Sequence, residues 1–245
     1  KTENRRNYTE TELHQKMALV LDTTDDINDT VESILKEENA SIEDITTNKE
    51  LNKKIFDESV EKLIYLLRTD AVNDAFIVLD TGTLYDEDNI SYKGGLMIRD
   101  LDPTNNTLNN NKDLLMEFGS SAISQKYNIT LDTEWSSKLR VDYTSENYDF
   151  FFQTIKLSKL NPTEDISNLA NWTKFSKISN YGEASMKYTV PLIDSNNNVY
   201  GILGIGIMEN MILKKLPSND LFNENACYIL AYNTDKSNKY ATLLH

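Results

Sequence analysis

Cysteine is almost absent from this chain, since Cys227 is the only one among 245 residues. No disulfide can form within the chain, and the redox compartment cannot be inferred from thiols. A chain of this length can nevertheless bury a core that is stable without covalent cross-links. Apolar neighbours on both sides predict that Cys227 is a buried strand residue rather than a reactive thiol.

Histidine is nearly as scarce, and the motifs that most often carry catalysis are missing. His14 lies within a helical pattern and His245 is the last residue, so neither is well placed for a Ser-His or Cys-His site. The phosphate-binding pattern GxxxxGKS/T and the zinc-binding pattern HExxH do not occur. We therefore predict that the chain is not an enzyme and has no cofactor, although a pair of catalytic carboxylates stays open.

Two acidic segments resemble cation sites in part. The run Asp194–Asn198 opens like a calcium loop, but Val199 and Ile205 stand where an EF-hand needs glycine and glutamate. The run is therefore predicted to be a turn, and the acidic residues 86–88 are predicted to form a solvated loop. No metal site is expected.

Positive charge is also in short supply, with 25 Lys and Arg against 39 Asp and Glu and a net charge of -14. Nucleic-acid affinity comes mainly from clustered Lys and Arg, so nucleic acid is not an expected partner. No segment approaches the roughly 20 apolar residues that cross a bilayer. Contact with a membrane is expected only through spans outside this chain.

The strongest positive signal is a helical stripe near the start of the chain. Its members recur alternately four and three residues apart: Leu13, Met17, Val20, Thr24, Ile27, Val31 and Ile34. This spacing places them on one seam of a helix, which is predicted to run from about Tyr8 to Glu38. The stripe suits packing within the chain and a parallel homodimer equally well, so both interpretations stay open here.

Further elements follow from local patterns. A capping box at Ser41–Asp44 and an apolar stripe predict a second helix over Asn48–Arg68. The apolar runs Ala75–Leu79 and Leu96–Ile98 predict strands, and Asp113–Tyr127 has the apolar spacing of a helix that lies across the sheet. Residues between Leu131 and Ser185 show few regular patterns and are interpreted as functional loops.

The segment Met186–Ile207 predicts a β-hairpin. Two apolar runs rich in β-branched residues flank the polar turn, and the scarcity of polar residues indicates a central, largely covered pair of strands. Gly201, Gly204 and Gly206 interrupt the second run. Glycine in a strand usually marks a close approach by another backbone or a ligand. A short helix is expected over Met208–Leu216, followed by a strand that starts at Ala226.

Five runs in a fixed order carry a family resemblance. They are Gly94–Pro103, Tyr148–Phe152, Tyr188–Asp194, Val199–Ile205 and Lys215–Pro217. In this order and spacing the chain resembles the double Cache sensor domains, which are PAS-like extracytoplasmic domains of bacterial receptors. The resemblance extends over roughly residues 8 to 235.

The resemblance implies an α+β fold with a long N-terminal helix, a PAS-like antiparallel sheet module and the start of a second, truncated module. The expected boundaries are residues 1–68 for a helical stalk, 69–217 for a membrane-distal sensor module and 218–245 for the start of a membrane-proximal module. Strand edges are expected to lie exposed in this last part.

The resemblance also implies a function: small-molecule sensing on the extracytoplasmic face of the bacterial cell membrane. The receptor would be a diguanylate cyclase, a histidine kinase or a chemoreceptor. A soluble or surface-attached binding module without a signalling role is the alternative.

The ligand site is expected around the aromatic run Tyr143–Gln153. Aromatic rings provide rigid apolar walls, while hydroxyl and carboxyl groups orient a ligand. For each phenylalanine singly, filling the core explains it at least as well. The candidate ligand-binding residues are Tyr148, Asp149, Phe151, Phe152, Trp172, Phe175 and Tyr188.

The chain departs from amino-acid-binding members of the family at both charged anchors. Where those members have an Arg-x-Trp-Tyr pattern and a late aspartate, this chain has Asp149, Phe151-Phe152 and Gly206. A buried zwitterion would lose its charge-assisted hydrogen bonds. We therefore expect a small neutral or cationic organic ligand and not a free α-amino acid.

Overall fold

The computed structural model describes residues 2–82, 90–105, 110–177, 184–216, 221, 228–233 and 240–244. Its α-helices are α1 (Thr2–Glu37), α2 (Lys49–Leu67), α3 (Ser121–Tyr127), α4 (Asp149–Leu160), α5 (Ile166–Leu169) and α6 (Glu209–Lys215). Its strands are β1 (Asp74–Leu79), β2 (Ile90–Asp100), β3 (Leu114–Phe118), β4 (Thr130–Ser136), β5 (Leu139–Asp142), β6 (Asn171–Trp172), β7 (Ser185–Ile193), β8 (Val199–Met208), β9 (Leu230–Asn233) and β10 (Tyr240–Leu244). Short 3-10 helices span Ile42–Thr46 and Glu146–Tyr148.

The main sheet has the strand order β4-β3-β2-β1-β8-β7-β6, and β5 pairs with the far end of β2. All neighbours in it are antiparallel except β3 and β4. The predicted α+β fold is confirmed, because a long N-terminal helix leads into a mostly antiparallel sheet of the kind found in PAS-like modules. The predicted hairpin is confirmed in β7 and β8, and β8 lies inside the sheet between β1 and β7.

Helices α1 and α2 cover one face of this sheet. The stripe residues Val20, Ile27 and Val31 are almost completely buried in a core that α2 and the sheet share. Thr24, also fully buried, donates its hydroxyl hydrogen bond to the Val20 carbonyl at 2.8 Å, so its polar atom is satisfied. The stripe therefore packs within its own chain. A homodimer through α1 stays a prediction and would have to use another face of the helix.

The start of α2 matches its sequence signal. Asn48 accepts hydrogen bonds from the Glu50 and Leu51 backbone N–H groups, each at 3.1 Å, and so caps the helix. The backbone N–H and the hydroxyl of Ser41 both donate to Asp44, as a capping box requires. This box begins the 3-10 helix Ile42–Thr46 rather than α2 itself.

The helix predicted over Asp113–Tyr127 is wrong in its first half. Residues 114–118 form β3, in which Leu114 and Met116 both point into the core on the α1 side, as alternate residues of a strand do. Gly119, with a φ of 141°, ends this strand, and α3 follows. The apolar residues of a five-residue strand and of the short helix after it happen to have the spacing expected of one longer helix.

The interpretation of the region between Leu131 and Ser185 as loops is also wrong. It contains β4, β5, α4, α5 and β6, and α4 covers the second face of the sheet. Strand β2 is longer than predicted, because Gly94 and Gly95 lie inside it. A Cβ at Gly95 would lie 3.1 Å from the Leu139 Cβ, so glycine lets β5 cross closely.

The end of the chain is described in part. Helix α6 confirms the predicted short helix, and β9 pairs with β10 in a separate two-stranded sheet. Cys227, His245 and the acidic residues 86–88 lie outside the described residues. No helix in the described ranges is both long enough and apolar enough to span a bilayer.

Candidate functional site

An open cleft lies between the N-terminal end of α4 and the segment that follows β6. Its cavity volume is about 80 Å³, within a wider opening of about 450 Å³ that includes solvent. Its lining residues are Glu146, Asn147, Asp149, Gln153, Asn171, Thr173, Lys174, Phe175 and Ser176. Amides, hydroxyls and carboxylates therefore surround one aromatic ring, which suits a small polar ligand. Two of the predicted ligand-binding residues, Asp149 and Phe175, are part of this lining.

Local structure places Asp149 at the cleft. Ser145 caps the 3-10 turn that precedes α4 by accepting a hydrogen bond from the Asn147 N–H at 3.3 Å. Asp149 is the first residue of α4, where the free N–H groups of the helix favour a negative charge. Partial burial raises the pKa of Asp149, the nearby charge of Glu146 raises it further, and Lys174 opposes both.

The charges of the cleft are unequal. Asp149 and Glu146 contribute two carboxylates, whereas Lys174 contributes the one ammonium group of the lining. The Lys174 Nζ lies 3.6 Å from the Glu146 Oε2, but both side chains are more than half exposed. Such an exposed pair is weakly bound, so it leaves the cleft with an attraction for positive charge.

Three of the other predicted site residues lie beside the cleft, within or against the apolar core. Phe151 is 2% exposed and packs under the sheet with α4, where the Lys93 ammonium group lies 5.6 Å from its ring centroid. Phe152 stacks on Tyr143 with a ring separation of 4.4 Å. Tyr148 is half-buried against the same cluster, and this burial raises its pKa.

The remaining two predicted residues face the other side of the sheet. Trp172 in β6 lies 4.9 Å from the Tyr188 ring in β7, and Tyr188 is buried in the core that α1 and α2 share. Burial raises the pKa of Tyr188 to about 12. Because neighbouring residues of a strand point to opposite faces, Asn171 and Thr173 line the cleft while Trp172 points away from it.

A row of charged residues crosses the α4 side of the sheet and was missed from the sequence. In strand order its members are Asp132, Glu117, Arg99, Asp74 and Lys187. The Arg99 Nη1 lies 3.1 Å from the Glu117 Oε1, and its Nη2 donates to the Asp132 Oδ2 at 2.7 Å. Burial raises the pKa of Glu117 to about 7, despite the nearby guanidinium group.

Asp74 lies at the centre of this row and explains a glycine in β8. Gly206 is the register partner of Asp74, and a Cβ at Gly206 would lie 2.1 Å from the Asp74 Oδ2. A Cβ at Gly204 would similarly lie 2.4 Å from the Phe76 Cζ. The predicted approach of another backbone is confirmed at Gly201, where a Cβ would lie 2.6 Å from the Val78 carbonyl oxygen. At Gly204 and Gly206, side chains of β1 approach instead of a backbone or a ligand. Single charges within apolar strands, at Asp74 and Lys187, were the sequence signal for the row.

Lys187 connects the cleft with Asp74. The Lys187 Nζ donates to the Ser176 carbonyl at 3.3 Å and to the Ser185 Oγ at 3.0 Å. The Ser185 hydroxyl in turn donates to the Asp74 Oδ2 at 3.3 Å. Lys187 is 1% exposed, and burial lowers its pKa. A displacement of Ser176 in the cleft wall can therefore be transmitted to Asp74 in β1 through the buried side chains of Lys187 and Ser185.

No group of three or more His, Cys, Asp or Glu side chains in the described part of the chain could hold a metal ion. The turn at Asp194 is held internally instead, since its Oδ1 accepts hydrogen bonds from the Asn196 and Asn198 backbone N–H groups. The carboxylate that opened the calcium-like run thus closes the β7–β8 turn, as the sequence predicted.

Comparison with known proteins gives little beyond this geometry. No family model matches the chain, and no curated protein matches it. Among solved structures, the sensory domain of the Campylobacter jejuni chemoreceptor Tlp3 (CcmL) is similar at 13% sequence identity and a TM-score of 0.33. The match covers 99% of this chain and 76% of that chain. At so low a TM-score, assignments of function must rest on the chain's own residues.

Proposed function

We propose that this chain is the extracytoplasmic small-molecule sensing domain of a bacterial transmembrane signalling receptor. One observation carries the proposal: the cleft and the long helix α1 lie on opposite faces of the same sheet, and β6 and β7 connect them. A ligand in the cleft contacts Asn171 and Thr173, between which Trp172 packs on Tyr188 toward the α1 side.

The β7–β8 hairpin gives the sheet two polar contacts to α1. The Tyr200 hydroxyl donates to the Asn28 Oδ1 at 2.6 Å, and the Ser195 N–H donates to the Glu32 Oε1 at 2.8 Å. A displacement of the hairpin by ligand must therefore move or strain α1. This coupling is what a receptor needs from a sensing domain, and a simple binding module does not need it.

The ligand class follows from the lining of the cleft. With two carboxylates, one lysine and no arginine, the cleft favours a neutral or cationic molecule over a carboxylate. A free α-amino acid is disfavoured because its carboxylate would meet Asp149 and Glu146. The side chains of Phe151 and Tyr188 act behind this site as core support, and Phe175 supplies the aromatic wall.

The receptor context is supported by the resemblance to double Cache domains in five runs of the sequence. Under that resemblance the output domain would be a diguanylate cyclase, a histidine kinase or a chemoreceptor signalling region. A soluble or surface-attached binding module is the alternative. The complete reading frame decides between them, because membrane spans on both sides of this segment belong only to the receptor.

A melting-temperature screen with separate panels of cationic, neutral and carboxylate metabolites tests the ligand class. At a hundredfold excess over Kd, binding raises the free energy of unfolding by about 2.7 kcal/mol, which is easily detected. We expect shifts from cations or neutral compounds, and Asp149→Asn should abolish those from cations. The matched control Asp165→Asn changes an exposed aspartate at the start of α5, outside the cleft. Shifts from carboxylates alone would contradict the proposal.

A further inference from the structure

Asn73 and Asp74 each have a buried side-chain oxygen without a hydrogen-bond partner in the described structure. The Asn73 Nδ2 donates to the Asp74 Oδ2 at 2.8 Å, whereas the Asn73 Oδ1 and the Asp74 Oδ1 receive no hydrogen bond. If Asp74 were ionised, both of these oxygens could only accept, so neither could satisfy the other. Because unpaired buried polar atoms are costly, two on adjacent side chains that already share one hydrogen bond indicate a missing proton.

A neutral carboxylic acid is well matched to a primary amide. Each group has a carbonyl acceptor and at least one hydrogen-bond donor, so the two can form parallel hydrogen bonds within one ring. The bond from the Asn73 Nδ2 to the Asp74 Oδ2 is one half of such a ring. A protonated Asp74 Oδ1 would complete it by donating to the Asn73 Oδ1. One proton would thus satisfy both unpaired oxygens.

The surroundings of Asp74 favour its neutral form. Asp74 is 3% exposed, and its carboxyl lies against the β8 backbone at Gly206, where a Cβ would be 2.1 Å from the Oδ2. Within the described residues, the Oδ2 accepts only from neutral groups, the Asn73 amide and the Ser185 hydroxyl. Burial is the largest influence and raises the pKa of Asp74, although the charge of Lys187 opposes it.

The charges of the row balance when Asp74 is neutral. Arg99, which is opposite Asp74 in the β1–β2 pair, directs its guanidinium group to other acids: its Nη1 lies 3.1 Å from Glu117 and its Nη2 lies 2.7 Å from Asp132. When both of these acids are ionised, they match the two positive charges of Arg99 and Lys187. An ionised Asp74 would add a third buried negative charge for which the row has no cation.

We propose that Asp74 is a proton-binding site: Asn73 holds it as a neutral acid, and its proton leaves the Lys187 ammonium group to the Ser176 carbonyl in the cleft wall. The Lys187 Nζ donates to that carbonyl at 3.3 Å and to the Ser185 Oγ, which bridges to Asp74. Loss of the proton would create a buried anion that competes with the carbonyl for Lys187. The row would then act as a proton-dependent switch behind the cleft. This inference rests on the contacts of the cleft wall and not on the function proposed for the cleft.

The NMR chemical shift of the Asp74 carboxyl carbon tests for the proton directly in the wild-type chain and requires no variant. At about pH 6 an ordinary aspartate is ionised. We expect the Asp74 carbon to have the shift of a carboxylic acid at this pH. The shift of a carboxylate would overturn the inference.

Two variants should show opposite dependences on pH in urea unfolding. Asp74→Asn replaces a neutral acid with a neutral amide that does not titrate. In the wild type, folded Asp74 keeps a proton that the unfolded chain releases above its ordinary pKa of 3.8. The stability of the wild type should therefore fall relative to Asp74→Asn as pH rises above about 4, so the urea midpoint of the variant should rise relative to that of the wild type.

The matched control is Asp113→Asn, at an aspartate whose pKa a hydrogen bond from Arg68 lowers. This aspartate stabilises the fold when it is ionised, so the urea midpoint of Asp113→Asn should fall further below that of the wild type over the same rise in pH. If both variants fall behind the wild type together, Asp74 is ionised and paired as Asp113 is, and the inference is wrong.

The backbone N–H signals of Ser176 and Ser185 report on the switch, because each N–H donates to the carbonyl of the other residue at 3.0 Å. Asp74→Asn should leave both NMR signals nearly unchanged at about pH 6, where Asp74 is still protonated in the folded state, and should remove the change that the wild type shows as Asp74 titrates at higher pH. Asp113→Asn should keep that change. Wild-type signals that do not respond to pH, or an equal response in Asp74→Asn, would overturn the switch.

Discussion

The two faces of the central sheet differ in what they bury. The face under α1 and α2 is covered by aliphatic side chains, with polar exceptions such as Thr24 that satisfy themselves within their own helix. The face under α4 buries phenylalanines beside a row of charges. Strand β8 has glycines there, at the positions where side chains of β1 approach its backbone. Folding alone explains the first face. The second face carries desolvated charges, whose burial is costly, and it is the face on which the proposed ligand cleft lies.

The difference also shows in how the faces respond to change. Truncating a buried aliphatic side chain lowers the free energy of unfolding roughly in proportion to the volume removed. Buried charges depend on each other, so the effect of one substitution depends on its neighbours and on pH. The predictions below test this contrast in order of the expected change in the free energy of unfolding.

The largest effect is expected on the α1 face, from Ile27→Glu. Ile27 is 0% exposed, so the variant buries a carboxylate without a partner and should lose about 5 kcal/mol or more, enough to unfold a marginally stable domain. Ile27→Ala should cost about 2–5 kcal/mol in urea unfolding. The matched control Asp26→Ala, on the exposed side of the same helix, should cost very little.

The same pair of variants examines the homodimer. If Ile27→Ala leaves stability unchanged and instead dissociates a dimer in sedimentation velocity, the stripe is an intermolecular seam and the packing within the chain is wrong. A dimer that survives Ile27→Ala would have to use exposed positions of α1.

The second prediction concerns the close approach on the α4 face. Gly206→Ala places a methyl group against the Asp74 carboxylate and should cost about 1–3 kcal/mol in urea unfolding. The cost should fall by about 1 kcal/mol or more in the Asp74→Ala background, because the clash is then removed. Gly94→Ala is the control, since its Cβ would come no closer than 3.2 Å to another atom, the Thr81 Cγ2, with the Phe56 ring at 3.4 Å. Additive costs for Gly206→Ala and Asp74→Ala would show that the two residues do not share space.

These two faces were not equally predictable from the sequence. The α1 stripe repeats over six intervals and the β7–β8 hairpin is bounded by a polar turn, so local patterns were sufficient for both. The first turn of α4 contains Phe150, Phe151 and Phe152, a run without a helical period, so the sequence favours a loop there. Its burial depends on β1 and β8, which lie far away in the chain.

The charged row could not be predicted for a related reason. A single charge in an apolar strand, as at Asp74 or Lys187, signals that something unusual is buried but does not show which charges meet. Only the strand order brings Asp74 of β1 beside Arg99 of β2 and, across Gly206, near Lys187 of β7. The cleft was predictable in part: Asp149 and Phe175 line it, whereas the amide groups that complete it carry no distinctive pattern.

The last prediction, whose effect is the smallest when taken per pH unit, is a dependence of stability on pH that arises in the charged row. Burial raises the pKa of Glu117 to about 7, from an ordinary value of 4.5. Between these values the folded state holds a proton that the unfolded state releases. The contribution is therefore complete below about pH 4.5 and is lost as pH rises through about 7, at about 1.4 kcal/mol per pH unit and roughly 3 kcal/mol in total.

Urea unfolding of the wild type and of Glu117→Gln across this range isolates the effect of Glu117. The variant cannot titrate at this position, so its stability should fall less with rising pH, and the difference between the two curves should follow one proton. Asp74, whose pKa burial also raises, is present in both proteins, so only its electrostatic coupling to Glu117 remains in the difference. Parallel curves would mean that Arg99, 3.1 Å away, keeps Glu117 ionised in the folded state. The row would then be a permanently paired structural network, and the contrast between the two faces would lose its electrostatic part.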